Sequence, residues 1–226
     1  MSQLKLKHSG GNSVIIAAPA SNPSSDVTLK LPQADGSAGQ VLRTDGSGNL
    51  SWVDDQKGKI LQVVSVSDSV RESTGSITLT NASTYYDTPF TVTITPSASS
   101  SKILLMGHVM GEATINDYLI LWSIKRAISG GATTNIQAPT VGNRPPCISV
   151  IPQGIYISEQ TSTPATITFA GLLDSPNTTS AVTYTFQVRA PQNSSVGFYY
   201  NRSVGDSNAA DNERGLSWIT AQEISG

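Results

Sequence analysis

Val182-Thr183-Tyr184-Thr185-Phe186-Gln187-Val188-Arg189 decides the fold class. Val182, Tyr184, Phe186 and Val188 alternate with Thr183, Thr185, Gln187 and Arg189, the period of a strand with one dry face and one wet face. Thr91-Val92-Thr93-Ile94-Thr95 repeats the pattern. By contrast, Ile103-Leu104-Leu105-Met106 and residues 118–124 are apolar on both faces. Such strands are expected to be covered on both sides, by a second sheet and by a subunit partner. Working outward, strands are expected over residues 60–66, 76–80, 90–95, 102–110, 118–128, 165–173, 181–190, 196–201 and 216–224. Turn signals separate them at residues 96–101, Gly130-Gly131, Ser175-Pro176-Asn177 and residues 205–212. No segment holds a helical period. This spacing predicts an all-β chain whose residues 59–226 form an antiparallel jelly-roll sandwich head.

Residues 1–58 read differently. Short alternating pieces, Leu4-Lys5-Leu6-Lys7 and Val27-Thr28-Leu29-Lys30-Leu31, are split by turn clusters such as Ser9-Gly10-Gly11-Asn12. Asp35-Gly36 and Asp45-Gly46 each mark an expected hairpin, since Asp-Gly favours tight turns. Strands of four to six residues cannot bury a core alone. An extended, short-stranded β stem that borrows surface from copies of itself, or from a neighbouring protein, meets that need; a tail that orders on binding is the alternative.

Composition bounds the partners. The 226 residues include 32 Ser and 23 Thr, with 14 Lys+Arg against 16 Asp+Glu and a net charge of -2. Binding to nucleic acid by phosphate neutralisation needs clustered Lys and Arg, so no nucleic-acid partner is expected. The longest apolar runs fall far short of the ~20 residues of a spanning helix, so no membrane insertion is expected. No signal peptide is legible near Met1, and the single cysteine, Cys147, cannot form an internal disulfide. Synthesis in a reducing cytoplasm is expected.

The residues that could carry chemistry are few. His8 falls in the stem and His108 in a strand, and neither HExxH nor paired CxxC motifs occur. Gly205-Asp206-Ser207 has no histidine downstream to activate a nucleophile. The acidic loop holding Asp206, Asp211 and Glu213 offers hard oxygen donors for calcium but lacks a ligand ladder, so a solvated turn is expected. Glu112, Asp117, Glu159 and Asp174 read as surface acids rather than a glycosidase pair, a condition that spacing alone does not impose. The chain reads as a non-enzyme with no cofactor. Tyr85, Tyr86, Tyr199 and Tyr200 could stack on sugar rings, whereas core packing is expected for Trp122 and Trp218. Arg144, in the Pro-rich loop over residues 136–146, is a further candidate for contact with a receptor. The sequons at Asn81, Asn177, Asn193 and Asn201 are read as chance.

The stretch Leu31-Pro32-Gln33-Ala34-Asp35-Gly36-Ser37-Ala38-Gly39-Gln40-Val41-Leu42, continuing to Asp45-Gly46-Ser47-Gly48-Asn49-Leu50-Ser51-Trp52-Val53, resembles a linker of tailed-bacteriophage fibre proteins. The remainder resembles the jelly-roll (TNF-like) heads that follow such linkers. Thr91-Val92-Thr93-Ile94-Thr95-Pro96, Tyr199-Tyr200-Asn201-Arg202-Ser203 and Ile219-Thr220-Ala221-Gln222-Glu223-Ile224 carry that resemblance. It implies a homotrimeric virion protein, a tail fibre whose N-terminal region docks on other virion proteins and whose head meets a host surface polysaccharide. A capsid decoration, cement or connector protein with no receptor role is the alternative.

Overall fold

Alternation at period two builds the elements. In a computed structural model of the chain, which describes residues 3–17, 19–54, 60–114, 119–152, 161–192 and 195–226, β13 (Val182–Arg189) buries Val182, Tyr184, Phe186 and Val188 completely. The chain divides into two units, Met1–Gln56 and Lys57–Gly226.

In the second unit β13 is joined by β5 (Ile60–Ser65), α1 (Asp68–Arg71), β6 (Gly75–Leu79), β7 (Tyr86–Ile94), β8 (Lys102–Ala113) and β9 (Ile120–Ile128). β10 (Thr133–Ile136), β11 (Ser149–Ile151), β12 (Ala165–Asp174), β14 (Val196–Tyr200) and β15 (Trp218–Ile224) complete it. One sheet runs β10-β9-β13-β7, with β11 also on β9; the other runs β5-β15-β8-β14-β6, with β12 on the free edge of β8. Every pair of named strands is antiparallel. The chain passes from one sheet to the other between β6 and β7, β7 and β8, β8 and β9, β11 and β12, β12 and β13, and β13 and β14, which is jelly-roll connectivity. The expected fold class is therefore the one observed: an all-β antiparallel sandwich.

The inner faces close on Phe90, Leu105, Ile120, Ile124, Phe186, Phe198 and Ile219, all fully buried. Trp122 stacks on Phe186 at 5.1 Å and packs at 5.1 Å against Phe169, a residue of the opposite sheet. That stack ties the sheets together, so burial of Trp122 is core packing, as expected. Trp218 is half-buried and packs against the core from the outer-face register of its strand.

Three register slips shape the head, one of them between Glu223 and Ile224 where β15 meets β5. Pro89 lies inside β7, where its missing N–H cannot donate to the ladder. The pairing slips between Thr185 and Gln187, and the Thr88 hydroxyl donates to the Phe186 carbonyl at 2.7 Å instead. That proline hid the first half of β7, which was expected to start at residue 90. In β12 the register slips between Phe169 and Leu172, with Gly171 at φ 81° supplying the left-handed residue. The slip keeps both Phe169 and Leu172 packed on the core. β10, β11 and the one-turn α1 have too few residues to show a period, and were not expected.

Two expectations about doubly apolar strands separate. Residues 120–124 are buried on both faces, as expected, but Leu119 is exposed, a correction, since it precedes the paired strand; Tyr118 lies outside the described residues. In β8, Ile103 and Leu105 are buried, but Leu104 and Met106 on the other face are half-buried, and no named strand of the head lies over them among the described residues.

The first unit is built from two hairpins, β1 (Gln3–Lys7) with β2 (Ser13–Ala17) and β3 (Gln40–Thr44) with β4 (Leu50–Asp54). The turn between β3 and β4 is held by Asp45, whose carboxylate accepts from the Ser47 and Asn49 N–H groups and from the Asn49 side chain. Those hydrogen bonds, led by the Asn49 amide, hold its pKa below the usual carboxylate value. Only one Asp-Gly pair makes a hairpin, a correction to the expectation. Gly36 instead packs beneath Trp52, whose indole donates to the Ala34 carbonyl at 3.0 Å; a Cβ on Gly36 would sit 2.6 Å from the ring. Residues 27–31 form no named strand but run extended, joined to Asn49 by a parallel bridge at Lys30. Val27, Leu29 and Leu31 are exposed at 71%, 60% and 74%.

Candidate functional site

Register places the head's features at opposite ends. Ile60, Ile224 and Lys102 share a row where the chain enters from the first unit. Tyr86, Trp122 and Val188 share a row near the other end, as do Leu79 and Val196. Tyr85, Tyr86 and Tyr199 belong to that far end, so the topology collects residues widely separated in sequence.

None of the four tyrosines offers a bare ring. Tyr86 packs on the core, and its hydroxyl bonds to the Thr80 hydroxyl at 2.8 Å. Tyr200 also packs on the core, edge-on to Phe90 with centroids 5.6 Å apart. Tyr85 is half-buried and donates to the Pro146 carbonyl at 2.7 Å, while Arg189 lies 5.9 Å over its ring and donates to the Ala82 carbonyl. Burial drives the Tyr85 phenol well above its ordinary pKa, Cys147 adds to the rise and Arg189 opposes it. Tyr199 carries Arg202 at 4.5 Å over one face, a cation–π contact. Pro146 ties the loop bearing the exposed Arg144 to Tyr85, so those two candidates share a neighbourhood.

The acidic loop is folded rather than free. Asp206 accepts from Arg214 at 2.6 Å and lies 3.7 Å from Arg202. Glu213 accepts from the Ser203 hydroxyl at 2.9 Å, and Asp211 is exposed. Among the described residues no three His, Cys, Asp or Glu side chains converge as a metal site. The sequence reading missed Arg189, Arg202 and Arg214; the partners of Arg214 and Arg189 lie 8 and 107 residues away, those of Arg202 within four.

The reading of Glu112 and Asp174 as surface acids is corrected, because both are buried. Glu112 accepts from the Thr163 and Val204 N–H groups at 2.9 and 2.6 Å. Asp174 accepts from Tyr184 at 2.7 Å and from Arg126 at 2.8 Å, joining the two sheets. The Tyr184 phenol is pushed up by burial and then by that carboxylate. Asp174 pairs with Ile103, nine positions along β8 from Glu112, which is about 30 Å of strand. They are not a catalytic pair. Asp117 and Glu159 lie outside the described residues.

The larger functional feature is the outer face of the β5-β15-β8-β12 sheet. Its far end is covered by the loop over residues 201–217: Gly215 sits on Met110, and Val204 binds Glu112. The nearer half is bare. Register sets Val63, Gln222, Leu104 and Leu173 in one row, and Trp218, His108 and Thr168 in another. Ile60, Val63 and Leu173 are exposed at 57%, 57% and 56%. The bare rows carry one formal charge, on Lys102, whose ammonium is bonded to Ser175. Exposed Ile60, Val63 and Leu173 lie on this face with half-buried Leu104, Met106 and Trp218, interleaved with Gln222, Thr220 and Thr168.

No family model matches the chain, and no curated protein matches it. Among solved structures it is similar to infectious bursal disease virus Gt strain, with 10% identity over 97% of this chain and 46% of that one, TM-score 0.37. It is also similar to T=1 particles derived from infectious bursal virus, with 13% identity over 78% of this chain and 42% of that one, TM-score 0.26. The chain spans less than half the length of either, and likenesses this low carry no argument about its activity.

Proposed function

We propose that the chain is a homotrimeric virion component: a tail fibre whose N-terminal unit docks on other virion proteins and whose head contacts a host-surface glycan. The observation that carries the assembly is the bare half of the β5-β15-β8-β12 face. A sheet face with large apolar side chains and almost no charge is stabilised when water is excluded from it. A copy of the same chain is the occupant that suits it best, because a nearly uncharged face needs no complementary partner of opposite sign. The first unit has the same need, with Val27, Leu29 and Leu31 in water. One symmetric assembly answers both.

The resemblance of residues 31–53 to phage fibre linkers supports the virion setting and the trimer. The glycan contact rests on the far end of the head, where Arg189, Arg202 and Arg214 present donors suited to sugar hydroxyls and carboxylates. A glycan array probed with the purified full chain tests it. Binding that falls at least tenfold in R214A supports the reading; no binding by a folded trimer refutes it. The capsid-decoration reading keeps one observation in its favour, namely that Tyr86 and Tyr200 pack on the core and Tyr85 and Tyr199 each carry an arginine over the ring. Immunogold labelling of virions carrying the chain separates the two, by marking tails or the capsid surface.

A further inference from the structure

We infer that Asp35 is a site of spontaneous isoaspartate formation, and that the same chemistry at Asp45 is held off by the turn that Asp45 organises. The chain carries Asp-Gly twice, each time as Asp-Gly-Ser, at residues 35–37 and 45–47, and Asn-Gly nowhere. Glycine has no Cβ to keep its nitrogen away from the preceding side chain, so Asp-Gly is where a backbone N–H most readily reaches a carboxyl carbon. The Gly36 nitrogen attacks Asp35 Cγ, an N–C bond forms, and the carboxyl hydroxyl leaves with the amide hydrogen as water. The cyclic imide then takes up a water at one of its two carbonyls. Opening at the Asp35 backbone carbonyl routes the chain through the side-chain carbon, one methylene longer, with the former backbone carboxyl as the side group. Water is the only co-reactant.

Because the tripeptides are identical, local structure is the variable. Asp35, Gly36, Asp45 and Gly46 are all exposed, so access of water does not separate the sites. At the second site both reacting groups are tied. The Gly46 N–H donates to the Thr44 hydroxyl at 3.1 Å. The Asp45 carboxylate accepts from the Ser47 N–H at 2.8 Å, the Asn49 N–H at 3.1 Å and the Asn49 side chain at 2.6 Å. The imide forms from the neutral acid, and those hydrogen bonds, led by the Asn49 amide, favour the ionised form of Asp45. At the first site the equivalent donor is diverted: the Ser37 N–H donates to Gln40 Oε1 at 2.9 Å. Among the described residues nothing bonds the Asp35 carboxylate or the Gly36 N–H. Both neighbours of Asp35 are nevertheless anchored, since Trp52 donates to the Ala34 carbonyl at 3.0 Å and packs on Gly36. A methylene inserted between those anchors shifts one against the other and loosens the seat of Trp52.

Ageing the purified full chain at pH 7.4 and 37 °C, with isoaspartate located by peptide mapping, tests this. Residue 35 is expected to convert at least about tenfold faster than residue 45, whose hydrogen bonds must break first. T44V/N49A frees the Gly46 N–H and removes the leading donor to Asp45, and is expected to raise conversion at residue 45 toward that at residue 35. D35E, whose longer side chain closes the ring poorly, is expected to abolish conversion at residue 35. Hydrogen exchange across residues 50–54 is expected to quicken in step with isoaspartate at residue 35, and to stay slow in aged D35E. Equal conversion at the two residues, faster conversion at residue 45, none at residue 35, or residue 45 unmoved in T44V/N49A would overturn the inference. Exchange across residues 50–54 that ignores conversion at residue 35 would overturn the loosening of Trp52.

Discussion

Glu223 shows how a single buried residue holds the head together. It points inward from β15 and is fully buried, yet its carboxylate accepts from the Ser97 N–H and hydroxyl and from Gln62. Burial pushes its pKa up, but the hydrogen bonds outweigh burial and hold it at about 2. Because the folded pKa lies below the ordinary 4.5, this stabilisation is complete above the ordinary value. It is lost as pH falls through the folded value near 2. Urea denaturation across that window should show wild type losing stability where E223Q does not, with E223Q about 1–3 kcal/mol less stable at pH 7. Asn201 acts similarly. Fully buried and at φ 59°, it donates to the Arg71 and Ser73 carbonyls, pinning α1 and its exit to the start of the 201–217 loop. N201A removes both bonds and leaves the Ser73 carbonyl without this donor, and should cost about 3 kcal/mol in urea midpoint measurements. Neither role was legible: the sequence shows Glu223 and Asn201 as polar residues near strand ends, while their partners lie up to 161 residues away.

At the scale of elements, alternation carried most of the fold. β13 reads off Val182 to Arg189 directly, because its inner and outer faces differ in polarity at every step. β7 does not, because Pro89 and its compensating bulge interrupt the pattern. The β8 run was legible as doubly apolar, but not the fact that Leu104 and Met106 are only half-buried. The tyrosine pairs misled for a related reason. A sequence shows where aromatics occur, but only the packed structure shows Tyr86 and Tyr200 spent on the core and Tyr85 and Tyr199 held under arginines. L104E tests the bare face as an element. The side chain lies on the outer face, so chemical stability of the separated head should change by about 0.5 kcal/mol or less. Assembly should fail in size-exclusion chromatography; a mutant that assembles like wild type would show that another surface joins the copies.

Over the whole molecule, the two units leave apolar surface bare in different ways. The head has a core between its sheets and, among its described residues, an outer face whose nearer half no named strand covers. The first unit has hairpins too small to enclose their own apolar residues, as short strands dictate. Residues 57–226 expressed alone should therefore unfold cooperatively, whereas residues 1–56 alone should show little protection from hydrogen exchange. The central claim is that copies of this chain supply the missing cover. Sedimentation equilibrium of the full chain at neutral pH tests it most directly. The account predicts a species of three times the 23.7 kDa chain mass, and a folded monomer at concentrations well above micromolar would contradict it.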